Sequence, residues 1–212
     1  MLQLQVMALL KPEDFPKIRR FYVEEEKSMQ QIADSFGVSI HAVVYFMRKY
    51  KLARRAGAEQ RRVRFAQQPH SFLVKQKLTQ KEEFLKTVGV ALYWGEGFKS
   101  VAANRVDFAN SDPLMIKAFL AFLRQVCGVA EPKLRVYLYC YANQKPEELV
   151  QYWSKLTQIP VAQFTSPYVR QDFLVEKNGK MPYGLIHIRY SDKKLLLLIK
   201  KWIEECKSNF DA

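Results

Sequence analysis

Thr87-Val88-Gly89-Val90-Ala91-Leu92-Tyr93-Trp94-Gly95-Glu96-Gly97 is apolar, rich in small residues, and closes on one carboxylate between two glycines. Leu85, Val88, Leu92 and Glu96 fall on one stripe at helical spacing, and Ala91 and Gly95 sit four apart on a neighbouring stripe. Small residues four apart let another helix come close, a geometry best documented in membranes. Gly97 can take the left-handed conformation that stops a helix. The pattern predicts a helix packed on a partner helix, with Glu96 at its C-terminal end. An anion there faces the negative end of the helix dipole and wants a cation, for which a divalent metal is one candidate. Exposure to water, or pairing with Lys99, is the other reading.

The chain around this stretch has 212 residues, enough for one good core or two small domains. Its hydrophobic content of 49%, with 13% aromatics, excludes wholesale disorder. A net charge of +13 points to a polyanionic partner, with nucleic acid ahead of an anionic membrane surface. No run reaches transmembrane length, and Met1–Leu10 lacks the basic start and cleavage site of a secretory signal. Cys127, Cys140 and Cys206 are odd in number, widely spaced and set among apolar residues, so they read as free core thiols. The expected location is cytoplasmic and nucleoid-associated.

Upstream, Asp14–Glu26 reads as a first helix with Phe15, Ile18, Phe21 and Tyr22 on its apolar face. Ser28-Met29-Gln30-Gln31-Ile32-Ala33-Asp34-Ser35-Phe36-Gly37-Val38-Ser39 is a sharper signal: two serine caps flank a small residue and a glycine turn. The spacing from Ala33 to Gly37 and Val43 resembles a helix-turn-helix of the resolvase and sigma-factor type. On the second helix, Ser39–Tyr50, the positions Ala42, Val43, Phe46 and Met47 are expected inside. In such a motif the early outward residues meet base edges and the later basic ones meet phosphate. Ile40, His41 and Tyr45 are therefore assigned to base contact, and Arg48 and Lys49 to the backbone. A helical hairpin used for protein contact is the alternative.

Lys51–Gln68 reads as a linker, because its apolar periodicity disappears and Lys51, Arg54, Arg55, Arg61, Arg62 and Arg64 outnumber Glu59. Such a basic arm can be a solvated tether or can follow the phosphates; Arg54, Arg55, Arg61 and Arg62 are the candidate contacts. Thr79 caps the central helix, with Glu82 three residues later. Past Gly97, short strands are expected at Phe98–Val101 and Arg105–Ala109, then a helix over Leu114–Cys127. A strand follows over Lys133–Tyr141, then a helix over Lys145–Leu156, strands over Phe164–Arg170 and Gly184–Tyr190, and a final helix from Asp192 to about Lys207. In Lys133–Tyr141, the positions Leu134, Val136, Leu138 and Cys140 share one face, and Arg135, Tyr137, Tyr139 and Tyr141 the other.

Leu92-Tyr93-Trp94-Gly95-Glu96-Gly97 resembles the closing half of the LAGLIDADG motif of homing endonucleases. Trp94 stands where that family has its first acid, and Gly89 where it has Leu. The element order over about residues 80–207 is close to the family's αββαββα unit with an added helix at Lys145–Leu156. The expected fold class is α+β: a helix-turn-helix domain over 1–52, a basic linker over 53–78 and a LAGLIDADG-like domain over 79–212. The resemblance implies that Glu96 holds a catalytic magnesium ion and that two copies meet through Val88, Ala91, Leu92 and Gly95. It implies also a strand face laid on DNA, here Arg135, Tyr137, Tyr139, Arg170 and Arg189. Of the family's basic residue near the site, Lys99, Lys193 and Lys194 are the possible counterparts, and Lys193 is assigned as the catalytic one without a motif position to match.

One motif per chain gives one acid per chain, and paired-metal cleavage needs two carboxylates. Cleavage would then require a homodimer acting on a near-palindromic site. The expected partners are double-stranded DNA and a second copy, with neither a membrane nor a small-molecule substrate. A regulator that kept the fold for binding and lost cleavage is the alternative. RNA binding is disfavoured, because A-form RNA hides its major groove from a recognition helix.

Overall fold

Ser28 and Ser39 each start a helix. Ser28 Oγ accepts the Gln31 backbone N–H at 3.1 Å while Gln31 Oε1 accepts that of Ser28 at 2.8 Å, a reciprocal cap that begins α2. Ser39 Oγ accepts the Ala42 N–H at 3.2 Å and begins α3. The computed structural model describes residues 10–171 and 181–210, so most of Met1–Leu10, read above for a secretory signal, lies outside it. The chain divides into two compact units, Met1–Pro69 and His70–Ala212. Its class is α+β, with eight helices and one four-stranded mixed sheet among the described residues. No described helix is long and apolar enough to cross a membrane.

In the first unit α1 (Phe15–Arg19) runs on into one wider, π-type turn over Arg20–Glu24. It is followed by α2 (Met29–Phe36), α3 (Ile40–Lys49) and α4 (Gly57–Gln67). Gly37 ends α2 at φ 64°, and a Cβ there would meet nothing within 4 Å, so the turn demands glycine for its backbone and not for space. Ile18, Phe21, Tyr22, Ile32, Ala33, Val43, Phe46 and Met47 form the core.

The stretch read as a linker contains α4. Its periodicity is faint because Val63 is the one buried side chain it contributes. Arginines attach it: Arg55 donates to the carbonyls of Lys27 and Tyr22 and lays its guanidinium over the Tyr22 ring, 4.0 Å from its centre. Arg62 reaches Glu26 at 2.6 Å. Exposed pairs of the Arg62 kind contribute about 0–1 kcal/mol each, so Val63 and the part-buried Arg55 contribute most.

The second unit runs α5 (Gln80–Glu96), β1 (Val106–Asn110), α6 (Pro113–Ala121), β2 (Leu134–Tyr141), α7 (Pro146–Thr157), β3 (Tyr168–Arg170), β4 (Leu185–Tyr190) and α8 (Lys193–Ser208). A capping box begins α5: Glu82 Oε2 accepts the Thr79 N–H at 2.9 Å. The Lys75 ammonium foremost, then the Thr79 N–H and hydroxyl, hold the Glu82 carboxyl down at about 2. The buried stripe of α5 is Gly89, Val90, Tyr93, because the apolar bulk of Val90 and Tyr93 turns that face to the core. The close helix approach expected at Ala91 and Gly95 is therefore made at Gly89, where a Cβ would lie 2.1 Å from Phe122 Cγ. Gly89→Ala should destabilise the protein by about 1–3 kcal/mol through overpacking, read as a lower urea midpoint at unchanged slope. Gly97 is extended (φ −75°, ψ 147°) and not left-handed. Its need for glycine is spatial, since a Cβ would come within 2.5 Å of the Tyr93 ring and carbonyl.

The sheet order is β1-β4-β2-β3, antiparallel except for the parallel β2–β3 pair. Its inner face, with Val106, Phe108, Leu134, Val136, Ile186, Ile188 and Tyr190, packs into one core with Phe119, Leu120, Trp153 and Ile199 of the helices. One strand expectation fails and another is shortened. Phe98–Val101 is a loop that follows an isolated bridge of Gly97 to Phe108: Phe98 N–H reaches the Asp107 carbonyl at 2.8 Å, Val101 is wholly exposed, and the Lys99 ammonium lies on the helix-end carbonyls of Gly97 (2.7 Å) and Tyr93 (3.3 Å). Of Phe164–Arg170, only Tyr168–Arg170 joins the sheet, with Phe164 making a single bridge to Val136. The observed order is thus αβαβαββα, one strand short of the expected αββαββα with an added helix.

Candidate nucleic-acid interface

On α3, His41, Tyr45, Arg48 and Lys49 are exposed, Tyr45 at 59%, and the Arg48 guanidinium lies 5.9 Å from the Tyr45 ring centre. Ile40 departs from its assignment. It is half-buried against the core, because residues 40, 43 and 47 share one helical stripe with the buried Val43 and Met47. The α4 region splits likewise. Arg54 and Arg61 are exposed, whereas Arg55 and Arg62 hold the segment to Tyr22, Lys27 and Glu26 and are structural before they are contacts.

Alternation puts the odd-numbered residues of β1, β4 and β2 on the outer sheet face. Register then lines Asp107 with Arg189 and Arg135, and Ala109 with His187 and Tyr137. Tyr139 lies opposite Tyr168, and Tyr141 opposite Arg170. Tyr137 and Tyr139 are half-buried, and Arg135, Tyr168 and Arg170 exposed. The rings interlock, Tyr139 lying 5.3 Å from Tyr168 and 4.9 Å from His187, and the Arg189 guanidinium stands 3.7 Å over Tyr137. Arg135 bends back to the carbonyls of Pro132 (2.6 Å) and Leu134 (2.7 Å).

The feature that sequence reading missed is Asp107, a carboxylate only 5% exposed. Its Oδ1 meets His187 Nδ1 at 2.8 Å, its Oδ2 accepts from Arg189 Nε at 2.6 Å, and Arg105 Nε lies 3.8 Å from Oδ2. Burial pushes this carboxyl up, but the hydrogen bond and charge of His187, and then Arg189, outweigh it and hold the group below the usual range. An ionised carboxylate only accepts, so His187 Nδ1 carries the hydrogen and Nε2 is the other edge. A signal existed: Ile186-His187-Ile188-Arg189-Tyr190 alternates, putting His187 and Arg189 on one face. Asp107 between Val106 and Phe108 does the same in β1.

Tyr93 joins this cluster to the end of α5. Its hydroxyl donates to the Phe98 carbonyl at 3.0 Å and lies 3.4 Å from the Asp107 amide nitrogen, and burial pushes its phenol up to about 12. Glu96 therefore opens into the same cavity, of about 380 Å³, as Arg105, Asp107, His187 and Arg189. Glu96 is exposed, with Lys99 on the neighbouring carbonyls. Magnesium keeps several waters and is often held by one or two carboxylates, and of the two carboxylates lining this cavity Glu96 is the exposed one. Among the described residues no three His, Cys, Asp or Glu side chains gather as a metal cage. Lys193 begins α8, exposed, and does not line this cavity.

On α5, Ala91 and Gly95 are exposed and Val88 and Leu92 half-buried, beside exposed Phe84 and Trp94. Comparisons with family models, curated proteins and solved structures find no match to this chain. Its function is read from its own residues.

Proposed function

We propose that this protein binds double-stranded DNA sequence-specifically, through a helix-turn-helix in the first unit and the outer sheet face of the second. The observation that carries the reading is the outward face of α3, where His41, Tyr45, Arg48 and Lys49 follow a capped, glycine-turned pair of helices. Such a face suits base edges with its early residues and phosphate with its later ones. The net charge of +13 supports it.

We propose further that the second unit acts as a LAGLIDADG-like nuclease, as a homodimer joined through Val88, Ala91, Leu92 and Gly95 of α5. Each Glu96 would hold a magnesium ion, which when bound supplies charge stabilisation at the phosphodiester and an activated water. The chain's own contribution is positional: Lys99 tethers the helix end and Tyr93 fixes it against β1. Lys193, assigned as the basic counterpart from sequence, begins α8 outside the lining of this cavity, whereas Arg105 and Arg189 line it. One observation favours the second reading, a DNA-binding regulator without cleavage: Asp107, the other acid of the cavity, is committed to His187 and Arg189.

The test is selection and cleavage on a random-sequence duplex library, comparing the wild type with Glu96→Gln under magnesium and under calcium. Magnesium-dependent cuts at a palindromic site that vanish in Glu96→Gln are the expected result for the nuclease. Equal enrichment of one bound site by both proteins, uncut, leaves the regulator. Enrichment of no sequence overturns both.

A further inference from the structure

We infer that Arg105, His187 and Arg189, organised on the buried Asp107 carboxylate, form a binding site for one phosphodiester phosphate of a nucleic-acid strand, beside Glu96. The inference deepens the DNA-binding reading and rests on it.

Charge favours an anion here. Two guanidiniums and an imidazole converge on a single carboxylate, which neutralises one of them and leaves the group cationic. Taken apart from Glu96, such a set draws an anion. The group is also ordered in advance. Asp107 has 7% of its side chain exposed, His187 21% and Arg189 15%, so the carboxylate sets their rotamers before any ligand arrives. Tyr137 under the Arg189 guanidinium and Tyr139 beside His187 complete the support. Ordering long side chains in advance removes much of the entropy loss of binding. Arg105, at 42% exposed and 3.8 Å from the carboxylate, is the loosest member and the one able to close on a ligand.

The cavity has room for such a ligand. Its volume of about 380 Å³ is walled by Gly97, Phe98 and Ala109 besides the charged groups. It suits one sugar-phosphate unit of a strand, not a duplex end. Its other carboxylate, Glu96, opposes an incoming phosphate unless a cation offsets it. Phosphate and divalent cation should therefore bind here cooperatively, each raising the other's affinity by the same factor.

The probe is the dinucleoside monophosphate TpT, added to the full-length protein and followed by NMR signals of the His187 ring, with duplex binding measured in parallel. TpT is expected to shift those signals. Arg105→Gln should weaken its binding about tenfold, the size of one lost charged hydrogen bond. Because Arg105 is half-exposed and loosely held, that variant should stay folded. Without divalent cations Glu96→Gln should bind TpT several-fold more tightly, and added magnesium should strengthen the wild type only. Unmoved His187 signals, or equal TpT binding by wild type and Arg105→Gln, overturn the site. If the signals stay silent while duplex is bound, the site falls and the DNA-binding reading stands. TpT binding without duplex binding keeps the site and sinks that reading.

Discussion

Replacing Arg48 and Lys49 together by glutamate is expected to lower affinity for duplex DNA by about 100-fold or more and to flatten its salt dependence. Both side chains lie on the outward face of α3, away from Val43, Phe46 and Met47. Each charge-assisted hydrogen bond to phosphate contributes about 1.5–3 kcal/mol, and removing one phosphate-binding cation lowers the slope of log K against log salt by about 1. Reversal adds repulsion to the loss. Surface substitutions of this kind usually change stability by less than about 0.5 kcal/mol, so the thermal midpoint should hardly move. Fluorescence anisotropy on duplex DNA at several salt concentrations checks it. An unchanged slope would remove α3 from the interface and with it the observation on which the functional proposal stands.

Asp107→Ala is expected to destabilise the second unit by about 3–5 kcal/mol, the range for removing one partner of a buried charge pair. The loss leaves the mostly buried Arg189 and His187 without their shared acceptor. The sign with pH follows from the direction of the shift. The folded-state carboxyl lies below its ordinary value, so its contribution is complete above the usual aspartate pKa of about 4. It is lost as pH falls through the folded-state value. The gap between wild type and variant should be wide at neutral pH and narrow in acid. Urea unfolding at about pH 7 and near pH 3 measures it, and a gap independent of pH would mean that packing, not charge, holds the cluster.

Much of this molecule was legible from spacing alone. The caps at Ser28, Ser39 and Thr79, the turn at Gly37 and the alternation in β2 all appear where local chemistry puts them. These are interactions within a few residues, so the chain carries them in its order. What escaped were consequences of distant contacts. The α4 helix contributes one buried side chain and is tied to Tyr22 and Glu26 by arginines that composition marks only as basic. The Phe98–Val101 strand stops after one backbone bond, Phe98 N–H to the Asp107 carbonyl, because the chain turns between Ser100 and Ala103 and leaves Val101 in water.

The candidate site divides along the same line. Glu96 at a helix end, and the outward His41, Tyr45, Arg48 and Lys49, follow from periodicity, and the sequence by itself determined them. Only the tertiary structure decided that Asp107 and His187, 80 residues apart, would meet at 2.8 Å and share a cavity with Glu96. Helical and strand periods report which face a residue takes, but not which strand lies next to it. That choice belongs to the β1-β4-β2-β3 order, set by how the inner faces of all four strands pack together against the helices.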